Sequence, residues 1–333
     1  MPFIDSFDSA GGEDWSIFSA VVSNGTGRRG TRGCNVAQVE AVTPDSATIA
    51  TGAAYKTGGF GGKVLYVCNH SIAGSTAELG AGGYAFFMRV THIGDGRLRP
   101  ELNMTGHASV YGTPTVRALS LNTWYYIELS STLSTSGATY TIRINGHVET
   151  SGNIPLPLLF TPSDPMVWKA VGVIGDTGTY IDDFYEDDAG AFAGDGAALV
   201  LRPNAVGDAS DWVASTPGDN YLMVDDIHSD GDATYVHSDT TPGDKDLYGL
   251  EDLAGGQTVF YLQTRVVSRR VTTDTGSLQT VLESGTTENL GAEFTPGTTY
   301  AHFLEGYLLS PFTAVAWTIS EVNAMQLGQV RAS

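Results

Sequence analysis

Short alternating or apolar runs, separated by clusters of glycine, asparagine, aspartate and proline, recur through the first 190 residues. This arrangement is typical of the strands and turns of an antiparallel sandwich. Composition agrees, because 41 of the 333 residues are glycine and only 16% are charged, which disfavours helices. The sequence therefore predicts an all-β chain. The runs are Trp15–Val22, Val36–Val42, Lys63–Val67, Tyr84–Val90, Trp124–Leu129, Thr139–Ile144 and Ala170–Ile174.

Two acidic and apolar segments bracket this region, Ile4–Asp8 near the amino terminus and Tyr180–Asp188. Both have the composition of short strands. If the first strand and a strand near residue 185 close one sandwich, residues 1–190 form a single β domain. Within it, Asn145-Gly146 predicts a two-residue hairpin turn, because both residue types tolerate a positive φ.

Residues 191–197 are small or glycine, apart from Phe192 and Asp195, and predict a flexible linker. For residues 198–333 we expect a second, smaller antiparallel sandwich. Its first strand is predicted at Ala197–Leu201, before an acidic, turn-rich stretch from Pro203 to Asp252. Further strand-like runs are Thr258–Val267, Ser277–Leu282, Thr299–Tyr307 and Ala314–Ile319, and Ser320–Leu327 predicts one short helical turn before a last strand.

The chain is strongly acidic, with a formal net charge of −20. Residues 1–190 hold 18 acids and 11 bases, whereas residues 191–333 hold 19 acids and 6 bases. Such a surface repels phosphate backbones and anionic lipids, so we expect no nucleic-acid partner and no membrane insertion. No run reaches transmembrane length and the first residues lack a signal peptide, which predicts synthesis in a cytoplasm. Cys34 and Cys68 fit no zinc pattern and are expected to be reduced and buried.

Catalytic motifs find little support in the sequence. The seven histidines are scattered, and no Gly-x-Ser-x-Gly elbow occurs. Asp182 and Asp183 could serve as paired carboxylates for glycoside hydrolysis, but adjacent strand residues point to opposite faces of a sheet. The Glu-x-Asp-x-x-Glu signature of sandwich-fold glycoside hydrolases is also absent. We therefore assign no catalytic residue and expect a protein that is not an enzyme.

Calcium is the better use for clustered acids, since it prefers six to eight oxygen ligands on loops. Asp225, Asp226, Asp230 and Asp232 fall within one short segment and are the candidate metal ligands. Solvated acidic turns are the alternative interpretation. A second candidate combines Asp183 with an acid of the amino-terminal segment, either Asp5 or Asp8. No other cofactor is predicted.

Three segments in order, Thr123–Leu129, Tyr140–Gly146 and Ile181–Tyr185, resemble the concanavalin/laminin-G-like jelly roll. In that family a Trp-Tyr-x-x-Glu strand precedes a Val-x-Val-Asn-Gly hairpin and a closing Ile-Asp-Asp strand that pairs with the first strand. Here isoleucine stands at positions 142 and 144, where the family often has valine. The resemblance implies a jelly roll for residues 1–190.

Later segments, Arg202–Gly207, Gly231–Val236 and Thr241–Leu253, are similar to those of bacteriophage virion proteins that carry such a jelly roll. The resemblance implies a non-enzymatic structural component of a tail, fibre or capsid surface, made in the host cytoplasm and located in the virion. It implies other phage virion proteins as partners and a homo-oligomer. It offers no catalytic residues.

A carbohydrate-binding module that recognises a host surface glycan is the alternative, and a polysaccharide-cleaving enzyme is a third. Exposed aromatic residues would form a sugar-stacking platform, whereas aromatic residues inside strands are expected in the core. The placement within strand-like runs favours the core. The aromatic residues concerned are Phe86, Phe87, Trp124, Tyr125, Tyr126, Trp168 and Tyr180.

Overall fold

A computed structural model of the chain divides into two compact units, Met1–Ala198 and Leu199–Ser333. The residues that it describes are 3–5, 22–24, 32–34, 36–41, 48–57, 66–74, 84–93, 95–104, 109–134, 137–155, 168–174, 179–187, 190–197, 199–226, 229–238 and 241–333. Both units consist of antiparallel strands, which confirms the all-β prediction. Within these ranges no helix is long and apolar enough to cross a membrane.

The described part of the first unit contains two sheets. Their strands, numbered along the chain, are β1 (Phe3–Asp5), β2 (Val22–Asn24), β3 (Arg32–Cys34), β4 (Val36–Ala41), β5 (Thr48–Thr57), β6 (Tyr66–Gly74), β7 (Tyr84–Ile93), β8 (Arg97–Met104), β9 (Val110–Tyr111), β10 (Tyr125–Ser134), β11 (Gly137–Ile144), β12 (His147–Pro155), β13 (Trp168–Ile174) and β14 (Thr179–Asp187). One sheet has the order β12-β11-β10-β5-β14-β3-β2, with β1 also paired to β14, and the other has the order β4-β13-β6-β7-β8-β9.

Two local predictions for this unit are confirmed. The first strand pairs with the closing strand, with Ile4 opposite Tyr185. The hairpin between β11 and β12 turns at Asn145 and Gly146, which have φ values of 50° and 77°. Asparagine and glycine are the residues that adopt this left-handed conformation at the lowest cost, so the turn follows from the sequence.

The core of the first unit lies between the two sheets. Ile127 and Leu129 of β10 pair with Ile144 and Ile142 of β11, and all four side chains are fully buried. Each contributes roughly 1.5–3 kcal/mol through burial of apolar surface. The alternate residues of these strands, among them Glu128, therefore lie on the opposite, outer face of the sheet.

The second unit contains a five-stranded sheet of order β15-β18-β23-β20-β21 and two two-stranded ribbons, β16-β17 and β19-β22, among the described residues. The strands are β15 (Pro203–Ser210), β16 (Val213–Ala214), β17 (Val236–His237), β18 (Lys245–Leu250), β19 (Leu262–Ser268), β20 (Leu278–Ser284), β21 (Thr287–Leu290), β22 (Ala301–Tyr307) and β23 (Met325–Arg331). A 3-10 helix spans Asn220–Met223 and one α-helix, α1, spans Ile319–Ala324.

The core of the second unit forms where the β19-β22 ribbon and α1 cover the five-stranded sheet. Leu282, Trp317, Val322 and Met325 are buried together, and Tyr307 of the ribbon packs against them. The predicted helical turn near residue 320 is confirmed as α1. Thr318 caps it by accepting a hydrogen bond from the Glu321 amide, which the Thr-x-x-Glu spacing favours.

Three predictions for the second unit are wrong. No strand spans 199–201, and none spans 314–318, where a turn leads into α1. The stretch from Pro203 to Asp252, predicted to be mostly turns, contains four strands, β15 to β18. Three of these strands give a weak signal, since β15 is mostly exposed and β16 and β17 have only two residues each, whereas β18 buries Leu247 and Tyr248.

Candidate functional site

The candidate site is a groove on the outer face of the eight-stranded sheet in the first unit. Four residues form one row across adjacent strands, because Arg143 is opposite Glu128, Glu128 is opposite Gly52, and Gly52 is opposite Tyr185. A neighbouring row runs from Ser130 through Ala50 to Asp187. Polar side chains of β10 and β14 thus flank a central strand of small residues.

Strand β5 forms the floor of this groove with Ala50, Gly52 and Ala54, all of which are buried. Two neighbouring side chains of β10, Glu128 and Tyr126, occupy the space in which a side chain at position 52 would lie. A Cβ there would lie 3.1 Å from Glu128 Cγ and 3.1 Å from the Tyr126 ring. Glycine therefore lets the two β10 side chains lie across β5.

A segment of the chain itself occupies the groove. We call residues 190–196 the clasp. Its first part is held by β10 and β14: Ser130 Oγ donates to the Gly190 carbonyl at 3.1 Å, and the Ala191 amide donates to Asp187 Oδ1 at 3.1 Å. The Tyr185 hydroxyl donates to the Ala191 carbonyl. The groove thus binds mainly the backbone of the clasp.

The second part of the clasp is held by β10 and β11. The Gly194 amide donates to Glu128 Oε1 at 2.8 Å, and the Arg143 guanidinium lies 4.7 Å from the centre of the Phe192 ring. A charge-assisted hydrogen bond and a cation–π contact are among the stronger interactions that one short segment can form. Residues 190–194 are therefore bound to the first unit, contrary to the prediction that 191–197 are a flexible linker.

Glu128 is the electrostatic centre of the groove. Its side chain is completely buried, and its second oxygen, Oε2, accepts no hydrogen bond among the described residues. Arg143 Nε lies 3.6 Å from Oε2 but donates to the Gly146 carbonyl at 3.1 Å. Burial raises the pKa of Glu128, while the Gly194 amide and the Arg143 charge oppose that rise. The groove therefore holds a desolvated carboxyl group whose second oxygen lies near the Arg143 guanidinium and accepts no hydrogen bond among the described residues.

The four predicted calcium ligands lie in the second unit and are not brought together as ligands. Asp226 and Asp230 both contact the Thr234 hydroxyl, at 3.3 and 2.8 Å. Asp232 instead forms an ion pair with Arg269 at 2.7 Å, and this hydrogen bond lowers the pKa of Asp232.

The fourth candidate, Asp225, lies near Arg202. The hydrogen bond to Glu251 is the main cause that raises the pKa of Arg202, and the negative charges of Asp225 and Asp226 raise it further. In the described ranges no group of three or more His, Cys, Asp or Glu side chains could hold a metal ion. Of the second candidate set, Asp183 is buried, whereas Asp8 and the Asp5 side chain lie outside the described residues.

The predicted separation of Asp182 and Asp183 onto opposite faces rests on a regular strand, and β14 is irregular there. The pairing with β5 shifts register between Asp182 and Tyr185, and Asp183 adopts a φ of 49°. The Asp183 amide donates to Asp182 Oδ1 at 2.8 Å, and both side chains are buried. Period-two alternation therefore does not describe this segment.

The aromatic residues considered from the sequence are not all in the core between the sheets, since Tyr126 lies beside Gly52 on the outer face. The Tyr126 side chain is buried, while those of Trp124 and Tyr125 are half-buried. The side chains of the other aromatic residues considered from the sequence lie outside the described residues, as do both cysteine thiols. Glu128 was missed from the sequence, although a lone acid between apolar residues of a strand was a usable signal.

Comparison with known proteins gives no family by sequence, since no family model matches and no curated protein matches. Solved structures give weak likenesses. An alginate lyase of a Chlorella virus is 11% identical over 54% of this chain and 96% of its own, with a TM-score of 0.38. A carbohydrate esterase of Shiga toxin-encoding bacteriophage phi24B is 15% identical over 55% of this chain and 96% of its own, with a TM-score of 0.35. A CBM2 module of the evolved Dit of Lactobacillus casei BL23 phage J-1 is 9% identical over 56% and 89%, with a TM-score of 0.31.

Proposed function

We propose that the chain is a non-enzymatic structural component of a phage particle, and that its second unit docks to other virion proteins. The ordered sequence resemblance supports the virion location. One observation supports the docking: a cluster of exposed apolar side chains at one end of the β19-β22 ribbon. We call this cluster the apolar tip, and it comprises Phe260, Leu308, Leu309 and Val315.

The pairing of β19 with β22 places the residues of the apolar tip at one end of the ribbon. The ribbon's last pair is Leu262 with Tyr307, so Phe260 and Leu309 follow at the same end. A turn returns the chain, because the Ser310 amide donates to the Val315 carbonyl at 2.8 Å. The four side chains are 55%, 57%, 49% and 58% exposed, in chain order.

Several exposed apolar side chains at one end of a sheet or ribbon are typical of protein–protein contact sites. Each of these side chains would contribute up to about 1.5–3 kcal/mol if a partner buried it. The acidic surface of residues 191–333 would keep unassembled copies apart and soluble, and it favours a partner with basic residues around an apolar centre.

Incorporation into particles tests this function. A phage that lacks the chain is grown with the wild-type chain or with the double variant L308D/L309D supplied in trans, and purified particles are probed for it. We expect the double variant to be incorporated at least tenfold less than wild type, because two charges replace two buried side chains. Val116→Asp is the matched control, since Val116 is 85% exposed but belongs to the first unit. Equal incorporation of a folded L308D/L309D variant would reject the docking surface.

Recognition of a host surface glycan is a second candidate, favoured by the Glu128 oxygen Oε2, which accepts no hydrogen bond among the described residues. Two sugar hydroxyls can donate to the two oxygens of one carboxylate, whereas the clasp supplies one donor. Binding in the groove would therefore require the clasp to leave. The buried Tyr126 ring beside Gly52 adds apolar surface for a sugar face.

A glycan array with the full chain tests this candidate. We expect saturable binding that falls at least tenfold in Glu128→Gln, since an amide accepts at only one oxygen. Asp95→Asn, at an exposed acid paired with Arg97, is the control. Binding that Glu128→Gln leaves unchanged would exclude the groove as the site. Incubation with host envelope polysaccharide should release no new reducing ends, and their release would contradict the non-enzymatic assignment.

A further inference from the structure

The clasp is recognised almost entirely through atoms that any copy of the chain can present. Its hydrogen bonds to the first unit use backbone groups, namely the Gly190 amide and carbonyl, the Ala191 amide and carbonyl, and the Gly194 amide. A further contact uses the Phe192 ring. The receiving groups all lie on β10, β11 and β14, so the groove is complete without its own clasp.

The connection between groove and clasp is short. Asp187 ends β14, and Ala191, four positions later, already contacts it. Gly190 has a φ of 79°, and a Cβ there would lie 2.4 Å from Thr48 Cγ2. Short connections of this kind favour exchange of the following segment between copies, because an open connection replaces a tight turn.

The buried carboxylate adds a reason for the groove to stay occupied. Without a clasp, Glu128 would lose the Gly194 amide, its one hydrogen bond donor among the described residues. Arg143 would remain 3.6 Å from Oε2, but the loss of the amide hydrogen bond favours uptake of another clasp by a copy whose own clasp has left. The segment that fits the same contacts is the clasp of a second copy.

We propose that the groove of one copy binds the clasp of a second copy, so that neighbouring chains are joined by exchange of residues 190–196. This inference rests on neither the virion location nor glycan recognition. Apart from the Gly190 amide bond to the Asp187 carbonyl, which closes the connection itself, the contacts are the same within a chain and between chains, and concentration decides between them. A short tether gives an effective concentration on the order of 1 mM, so exchange should be rare at about 1 µM and substantial near 1 mM.

Photo-crosslinking with isotope labels tests the exchange in the full chain. Phe192→p-benzoylphenylalanine is prepared in unlabelled and ¹⁵N-labelled forms, which are mixed in denaturant, refolded together and irradiated at about 1 µM and about 1 mM. Mass spectrometry then identifies crosslinks between residue 192 and the peptide that contains Arg143. We expect same-isotope crosslinks at the low concentration and up to half mixed-isotope crosslinks at the high one.

Two controls make the result decisive. The same probe at Val116, which is 85% exposed, measures crosslinks from random collisions. If the probe at Phe192 prevents folding, the probe at Ala193 in the same clasp replaces it. Mixed-isotope crosslinks from the clasp to the Arg143 peptide above the Val116 level support exchange. Same-isotope crosslinks alone at both concentrations would overturn it.

Discussion

The clasp should be only marginally stable on the first unit. Two hydrogen bonds to carboxylates contribute about 2 kcal/mol each, and three neutral hydrogen bonds and one cation–π contact contribute about 1 kcal/mol each, which gives about 8 kcal/mol. Ordering residues 190–194, the part of the clasp that makes these contacts, costs about 1–2 kcal/mol for each residue, or about 5–10 kcal/mol. These totals agree within a few kcal/mol, so we expect the clasp to open while the sheet beneath it stays folded.

Gly194→Pro should therefore open the clasp. Proline lacks the amide hydrogen that Gly194 donates to Glu128, and its φ near −65° cannot match the 86° of Gly194. Loss of about 2 kcal/mol corresponds to about a 30-fold fall in the ratio of closed to open clasp, so the clasp amides should exchange almost as fast as those of an unstructured segment. The matched control Gly194→Ala keeps the amide hydrogen and should cost about 1 kcal/mol through its positive φ, or about fivefold.

Hydrogen–deuterium exchange with mass spectrometry measures both variants at peptide resolution. The reporter is the Ala191 amide, which donates to Asp187 within the clasp. Amides of β10 report on the sheet. Unchanged protection at residues 190–193 in Gly194→Pro would refute the reasoning, and so would an equal loss of protection in β10, because the clasp would then not open independently.

Three further predictions concern single residues. Asp274→Asn should destabilise the second unit by about 3 kcal/mol, because the buried Arg331 loses a two-bond partner at 2.7 and 2.9 Å. The hydrogen bonds from Arg331 hold the pKa of Asp274 below its usual value, so the stabilisation by this ion pair is complete at neutral pH and lost as pH falls below about 4. Acid unfolding followed by tryptophan fluorescence measures this loss. Burial raises the pKa of Asp246, so ionisation of this side chain destabilises the second unit as pH rises above about 4. At pH 7 the Asp246→Asn variant should therefore be more stable than wild type in urea unfolding. The difference in free energy of unfolding should shrink as pH falls toward about 4. Gly52→Ala should lower the stability of the first unit by about 1–3 kcal/mol in thermal unfolding, because its Cβ would lie 3.1 Å from two buried β10 side chains, whereas Gly196→Ala, 3.9 Å from its nearest neighbour, should not.

The sandwich of the first unit could be predicted because its signals are local. Strands such as β10 and β11 alternate between core and outer face, and Asn145-Gly146 sets the hairpin between β11 and β12. The pairing of β1 with β14 is long-range. This pairing could be predicted only through the resemblance of the closing strand to a known family.

The second unit was harder to predict because its strands are short or exposed. Strand β15 has no fully buried side chain, so the pattern that marks a half-buried strand is weak there. The run Ala314–Ile319 is apolar but not a strand. Ala314 adopts a φ of 58° in a turn, and Thr318 caps α1.

The clasp and its groove could not be predicted from composition. Small residues and glycine indicate a flexible linker, yet the same absence of side chains lets a backbone lie close to a sheet. Whether such a segment is bound or free depends on the sheet face beneath it, where Glu128 and Asp187 accept hydrogen bonds and Ser130 donates one. That face is assembled from three distant parts of the sequence.

The most direct test of the proposed role is a cryo-EM map of the intact phage particle in which we propose that the chain resides. We expect density for both β units in many symmetric copies, with Phe260, Leu308, Leu309 and Val315 buried against a neighbouring virion protein. Absence of the chain from purified particles, or an apolar tip that faces solvent in every copy, would contradict the account.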